Sequence, residues 1–169
     1  SALAVLSQLE AGGYDGEEID RMRLAAAEKL TAASRYAEAL SIISALPENE
    51  ETQAARQKCL YAQADSLWRA DDYSGAAQIF YQLGDYSDSA SRYADCRCAL
   101  AVETYMNGDE NGARTLLLSV SDADRHIEAA VQKAAGSADT ARGLLALELF
   151  NPESLNRMEK TAQALTQAR

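Results

Sequence analysis

Tyr36-Ala37-Glu38-Ala39-Leu40-Ser41-Ile42-Ile43 comes back 37 residues later as Tyr73-Ser74-Gly75-Ala76-Ala77-Gln78-Ile79-Phe80. After another 37 it returns more loosely as Glu110-Asn111-Gly112-Ala113-Arg114-Thr115-Leu116-Leu117. A period of this size is the mark of a stacked array, not of one closed core built around an active site.

The register holds position by position. Ala2, Ala39, Ala76 and Ala113 align, followed by Val5, Ile42, Ile79 and Leu116, then Leu6, Ile43, Phe80 and Leu117. Leu9, Leu46, Leu83 and Val120 complete an i, i+3, i+4, i+7 stripe, the spacing of one helix face. A second stripe aligns Met22, Cys59 and Cys96, then Ala25, Ala62 and Ala99, then Ala27, Ala64 and Ala101. Leu30 and Leu67 also align, and Thr104 breaks that series.

Each unit reads as two helices. A long one runs from about Glu51 to Ala70, the turn Asp71-Asp72 follows, and a short one covers Tyr73 to Leu83. Gly84 stops the short helix, because glycine reaches a left-handed backbone without a side-chain clash. Pro47 does the same after Leu46, since proline cannot continue the hydrogen-bond ladder. Asp85-Tyr86-Ser87-Asp88 offers side-chain acceptors to cap the next helix. No stretch alternates as a strand does, and alanine, the best helix former, supplies 34 of 169 residues. The fold class expected is all-α.

The two ends depart from the pattern. Ser1 to Glu10 matches the second helix of a unit that lacks its first, so the chain reads as a piece of something larger. Ala11 to Gly16 is then a longer loop, and Glu17 to Ser34 the next long helix. Towards the other end, Asp122 caps a helix from Ala123 to Ala135. Asp139 caps another over Thr140 to Phe150, and Asn151-Pro152-Glu153 starts a last one over Ser154 to Ala168. Residues 1–136 are therefore expected to form the repeats, and 137–169 a capping helix pair of the same array.

Composition narrows the function. The net charge of −10 argues against general nucleic-acid binding, which needs clustered Lys and Arg, and against docking on anionic membranes. No apolar stretch is long enough to span a bilayer. The three cysteines form no framework: Cys59 and Cys96 share a seam position, and Cys96-Arg97-Cys98 has the spacing of neither a redox pair nor a zinc site. They read as small packing residues, and their odd count points to a reducing, cytoplasmic setting.

Catalytic chemistry is hard to assemble. His126 is the only histidine and has no obvious partner in the sequence, whereas a hydrolase triad needs a partnered histidine and a histidine-rich metal site needs several; it reads as an ordinary surface or half-buried helix residue. Asp85-Tyr86-Ser87-Asp88-Ser89 lacks the glycine and distal glutamate of a calcium loop. Ala11-Gly12-Gly13 is not followed by the Lys of a phosphate loop. The expectation is no enzyme activity, no metal and no cofactor.

Leu60, Ala64, Leu67, Tyr73, Ala76, Phe80 and Leu83 resemble the tetratricopeptide repeat, with large, small and large residues on the first helix and aromatic, Ala and aromatic on the second. That family's usual period is about 34, so these units carry extra residues. Leu83-Gly84-Asp85-Tyr86-Ser87-Asp88-Ser89, followed by Cys96 and Ala99 to Ala101, is similar to a longer variant found in uncharacterised bacterial multi-domain proteins. The likeness covers about residues 1–135. It implies a right-handed α-α superhelix whose concave groove binds a peptide or a partner domain.

The family's groove positions fall on Lys58, Tyr61, Asp65, Trp68 and Arg69, then on Asp95, Cys98, Val102, Tyr105 and Met106. The preceding unit contributes Arg21, Leu24, Glu28, Thr31 and Ala32. Tyr61, Asp65, Trp68 and Arg69 lie on one helix face by their own spacing. Trp68 and Tyr105 are one period apart, which would set them side by side as binding anchors, unless Trp68 only covers the seam between units. The family members that grip a C-terminal carboxylate use Lys, Asn and Arg where this chain has Leu24, Glu28, Ala62, Asp95 and Ala99. A ligand of basic and aromatic character suits such a groove better.

The function expected is a non-catalytic protein-protein interaction module with a protein or peptide partner. The alternatives are a structural spacer within a larger bacterial protein, or the accessory region of an enzyme whose chemistry lies elsewhere.

Overall fold

The computed structural model describes residues 16–134 and 138–147, with six further helical positions: Glu153, Asn156, Arg157, Lys160, Ala164 and Gln167. Among these residues the chain is all-helical. The elements are α1 (Gly16–Ala32), α2 (Tyr36–Ser44), α3 (Glu50–Arg69), α4 (Tyr73–Leu83), α5 (Ser89–Met106), α6 (Glu110–Leu118), α7 (Ala123–Lys133) and α8 (Ala138–Leu145). None of them is long and apolar enough to cross a membrane. The expected half-unit over Ser1 to Glu10, the loop from Ala11, and the start signal at Asn151-Pro152 lie outside the described residues.

The short helices α2, α4 and α6 begin at Tyr36, Tyr73 and Glu110, so they keep the 37-residue spacing of the sequence. The turn before each of them is built alike. Ser34, Asp71 and Gly108 take left-handed backbone angles, with φ of 58°, 61° and 87°. The next residue's N–H then reaches back to a carbonyl five residues earlier: Arg35 to Leu30, Asp72 to Leu67 and Asp109 to Thr104, at 2.9, 2.9 and 3.1 Å. This is the Schellman closure of a helix C-terminus. Thr104 fits where leucine stands in the other units because its hydroxyl donates to the Leu100 carbonyl at 2.7 Å.

The caps show how the repeat varies. Asp72 and Asp109 each accept the backbone N–H three residues on, from Gly75 and Gly112, at 2.8 Å. Arg35, at the same place in the first unit, makes no such cap and pairs with Glu38 instead. Asn49 and Thr52 cap α3 reciprocally: the Thr52 N–H donates to Asn49 Oδ1 at 2.9 Å, and the Asn49 N–H to Thr52 Oγ1 at 3.0 Å. Asp88 and Asp122 precede α5 and α7, but their side chains make no capping bond there. α8 starts at Ala138, so Asp139 lies within its first turn and pairs with Arg142 at 3.1 Å; it is not the cap expected.

Two compact units are distinguished, Ser1–Asp65 and Ser66–Arg169, and the division falls within α3. In the first, α1 packs on α2. Ala27, Ala39, Ile42, Ile43, Ala55 and Cys59 form its core. In the second, α5 is the hub: α4, α6, α7 and α8 all pack against it. Its core joins Ala99, Ala101 and Val102 of α5 to Leu117, Ile127, Val131 and Leu144. Equivalent repeat positions are buried in both units. Ala39, Ala76 and Ala113 are fully covered, as are Ile43, Phe80 and Leu117 to within 2 %. The hydrophobic stripe read from the sequence is thus the stripe that packs, and burial of such side chains is the main term holding the helices together.

Candidate functional site

The residues expected to line a groove are divided by the structure. Lys58, Tyr61 and Asp65 belong to the first unit, where Lys58 is exposed and the other two half-buried. Trp68, Arg69, Cys98 and Tyr105 belong to the second.

Cys98 corrects the expectation. It is fully buried in the core of the second unit and offers no surface to a partner. The cause is the central place of α5, which is covered on several sides, so that positions two apart (Cys96 and Cys98) are both enclosed. Burial pushes both thiols up to about 12, which leaves them protonated and unreactive at neutral pH.

Trp68 is half-buried and packs against the same core. Its ring stands 5.3 Å from that of Tyr73, tilted by 60°. The Arg92 guanidinium lies 5.3 Å from the Trp68 centroid and 5.4 Å from that of Phe80. The Lys133 ammonium lies 5.6 Å from Trp68 and 5.7 Å from Tyr73. Cations at this range are attracted to the ring electrons. Lys133 also pairs with Asp71, and this hydrogen bond, ahead of one from Tyr73, holds the Asp71 carboxyl below its usual range. The buried Tyr73 hydroxyl has Asp71 Oδ1 at 3.2 Å and the Lys133 carbonyl at 3.4 Å as acceptors. Burial first, and then the Asp71 hydrogen bond, push its phenol up to about 12. This cluster ties the end of α7 to the α3–α4 turn, so Trp68 is engaged in packing. Tyr105 packs against the same core, and its hydroxyl rests on Gly143 of α8, where any β-carbon would overlap it.

His126 is not without a partner. Its Nδ1 lies 2.6 Å from Asp95 Oδ1, both side chains being largely covered, and the pair bridges α5 and α7. Arg97 of α5 adds a second tie by donating through Nε and Nη2 to the Ser119 hydroxyl, at 3.2 and 2.7 Å. These bonds brace one wall of an open cleft of about 600 Å³ in the second unit.

That cleft lies between the end of α4, the first turns of α5, and the α6–α7 loop with the start of α7. Tyr81, Asp85, Tyr93, Asp122, Arg125 and His126 supply its larger polar and aromatic groups. Gly84, with φ of 55°, ends α4 and turns the chain so that Asp85 follows at the rim. The rings of Tyr81 and Tyr93 meet at 5.5 Å with a 48° tilt, and Tyr81 is 71 % exposed. Arg125 and Asp122 form an exposed pair at 3.6 Å.

The first unit has a cleft of about 650 Å³ lined by Glu17, Asp20, Arg21, Leu24, Leu46 and Pro47 and by the first turn of α3. The two clefts sit at matching repeat positions, two periods apart. Glu17, Asp20, Leu46, Pro47, Glu51 and Thr52 in one correspond to Ser91, Ala94, Val120, Ser121, Arg125 and His126 in the other. The apolar position is kept in kind as Leu46 and Val120, and the polar lining is not.

Among the described residues no group of three or more His, Cys, Asp or Glu is placed to hold a metal ion. Compared with known proteins, the chain matches no family model, no curated protein and no solved structure.

Proposed function

We propose that the chain is a non-catalytic interaction module, a tetratricopeptide-like right-handed superhelix that binds a peptide or partner domain within a larger protein. The observation that carries this reading is the recurrence of an open cleft at one repeat position with unlike linings. Packing constrains the buried positions of a repeat and leaves the cleft linings free to take on recognition. The experiment is selection from a displayed dodecapeptide library, followed by binding to variants of the two linings. Selected peptides that lose affinity on Tyr81→Ala, or on Asp20→Ala with Glu51→Ala, support the reading. Selected peptides indifferent to both sets contradict it.

A second reading, a spacer with no ligand of its own, is favoured by Trp68, the residue best suited to anchor a partner and yet engaged by Tyr73, Arg92 and Lys133. It predicts that acrylamide quenches the emission of this single tryptophan weakly and that no selected peptide changes the quenching.

A further inference from the structure

The Tyr81–Tyr93 pair is not something the repeat requires. The positions matching Tyr81 are Ser44 and Leu118, and those matching Tyr93 are Arg56 and Ala130. An aromatic side chain that is 71 % exposed at such a position contributes little to folding and leaves most of its ring open to a visitor. The acidic character of the rim, in contrast, is kept: Glu48, Asp85 and Asp122 share one repeat position. Within the cleft the charges are unevenly satisfied. Arg125 is drawn to Asp122, and His126 is held by Asp95. Asp85, exposed at the rim, has no ion pair among the described residues.

We propose that this cleft receives an arginine side chain from a partner polypeptide, its guanidinium laid on the Tyr81–Tyr93 rings and paired with the Asp85 carboxylate. The proposal rests on the reading of the chain as an interaction module and names the chemistry of its partner. Two rings meeting at 48° make an open aromatic corner, and a cation there is attracted to both ring faces. Arginine suits it better than lysine, because a planar guanidinium stacks on a ring and still presents a fork of donors to a carboxylate. The cleft, at about 600 Å³, has room for that side chain and its neighbouring backbone. The net charge of −10 speeds encounter with a basic segment from any direction.

The test is an NMR titration of the full chain labelled with 3-fluorotyrosine, the Tyr81 and Tyr93 signals being assigned by Tyr81→Phe and Tyr93→Phe. The probes are an end-capped nonapeptide whose only charged residue is a central arginine, and its citrulline, lysine and glutamate counterparts. The arginine peptide is expected to shift both signals. Citrulline, which keeps the shape and loses the charge, should bind at least about tenfold more weakly. Tyr81→Ala and Asp85→Asn, both at exposed positions, should each weaken the arginine peptide about three- to tenfold with unchanged circular dichroism. Equal responses to arginine and citrulline overturn the proposal, as do shifts spread over all tyrosines without preference for these two. If the glutamate peptide alone moves Tyr81 and Tyr93, the arginine assignment falls and the cleft stands as a binding site. Silence at both tyrosines with every probe overturns the proposal, while the library selection judges the interaction reading separately.

Discussion

Replacing Gly75 by alanine sets two effects of similar size against each other. Alanine is preferred over glycine in a helix by about 0.5–1 kcal/mol, mainly because it has less backbone freedom to lose. At this position, however, a β-carbon would lie 2.6 Å from Asp72 Oδ2 and 3.0 Å from its Cγ. The Asp72 carboxylate that accepts the Gly75 N–H at 2.8 Å would have to swing away. Loss of such a cap costs about 1 kcal/mol. Gly75→Ala alone should therefore change stability by no more than about 0.5 kcal/mol in either direction. Asp72→Ala alone should cost about 1 kcal/mol. Once Asp72 is alanine there is no cap to displace, and adding Gly75→Ala should then stabilise by about 0.5–1 kcal/mol. The assay is urea unfolding of the four proteins of this cycle, followed by far-ultraviolet circular dichroism. The expected coupling is about 1 kcal/mol, well above the roughly 0.3 kcal/mol scatter of independent sites. Additive effects would refute the account of why glycine stands three residues after Asp72 and Asp109, and why Glu38 is tolerated after Arg35.

Other outcomes follow from the same structure. Phe80→Ala removes a fully buried ring and should destabilise by about 3–5 kcal/mol in urea, whereas Leu118→Ala, at 69 % exposure, should stay within about 0.5 kcal/mol. Lys133→Met removes the main group that lowers the Asp71 carboxyl, so the Asp71 titration followed by NMR should move up towards the ordinary carboxylate range. A lowered folded-state pKa contributes stability at neutral pH and loses it as pH falls through that value, so parent and Lys133→Met should converge in stability on acidification. Cys96 and Cys98, with thiols pushed up to about 12 by burial, should react with a disulfide reagent at pH 8 far more slowly in the native chain than in urea.

The period made the helices and their turns legible, because a stripe that repeats every 37 residues must recur on the same packed face. The start and stop signals place Tyr73 to Leu83 to the residue, and α3 and α7 to within one or two. Sequence spacing is silent where three-dimensional crowding decides. The family resemblance puts Cys98 in a groove, but α5 is enclosed by four neighbours, and Cys98 is the small packing residue that the cysteine pattern suggests. Likewise the Asp95–His126 contact joins residues 31 apart on different helices, a distance at which spacing carries no signal. The candidate cleft is hard to read from the sequence for another reason. The family resemblance directs attention to the first helix of each unit, whereas Tyr81 is on the second. Its signal was an exposed-face tyrosine at a position occupied by Ser44 and Leu118 in the flanking units.

The central claim is that 37 residues constitute a structural unit that can be removed whole. Excision of residues 73–109 tests it most directly. The cut joins Asp72 to Glu110, so that Asp72 stands three residues before Gly112 and can cap α6 as Asp109 does in the parent chain. If the units stack, the shortened chain should keep its helicity per residue and unfold cooperatively in urea, with stability reduced by roughly one unit's share. A chain that loses most of its helicity, or unfolds without a cooperative transition, would contradict the account.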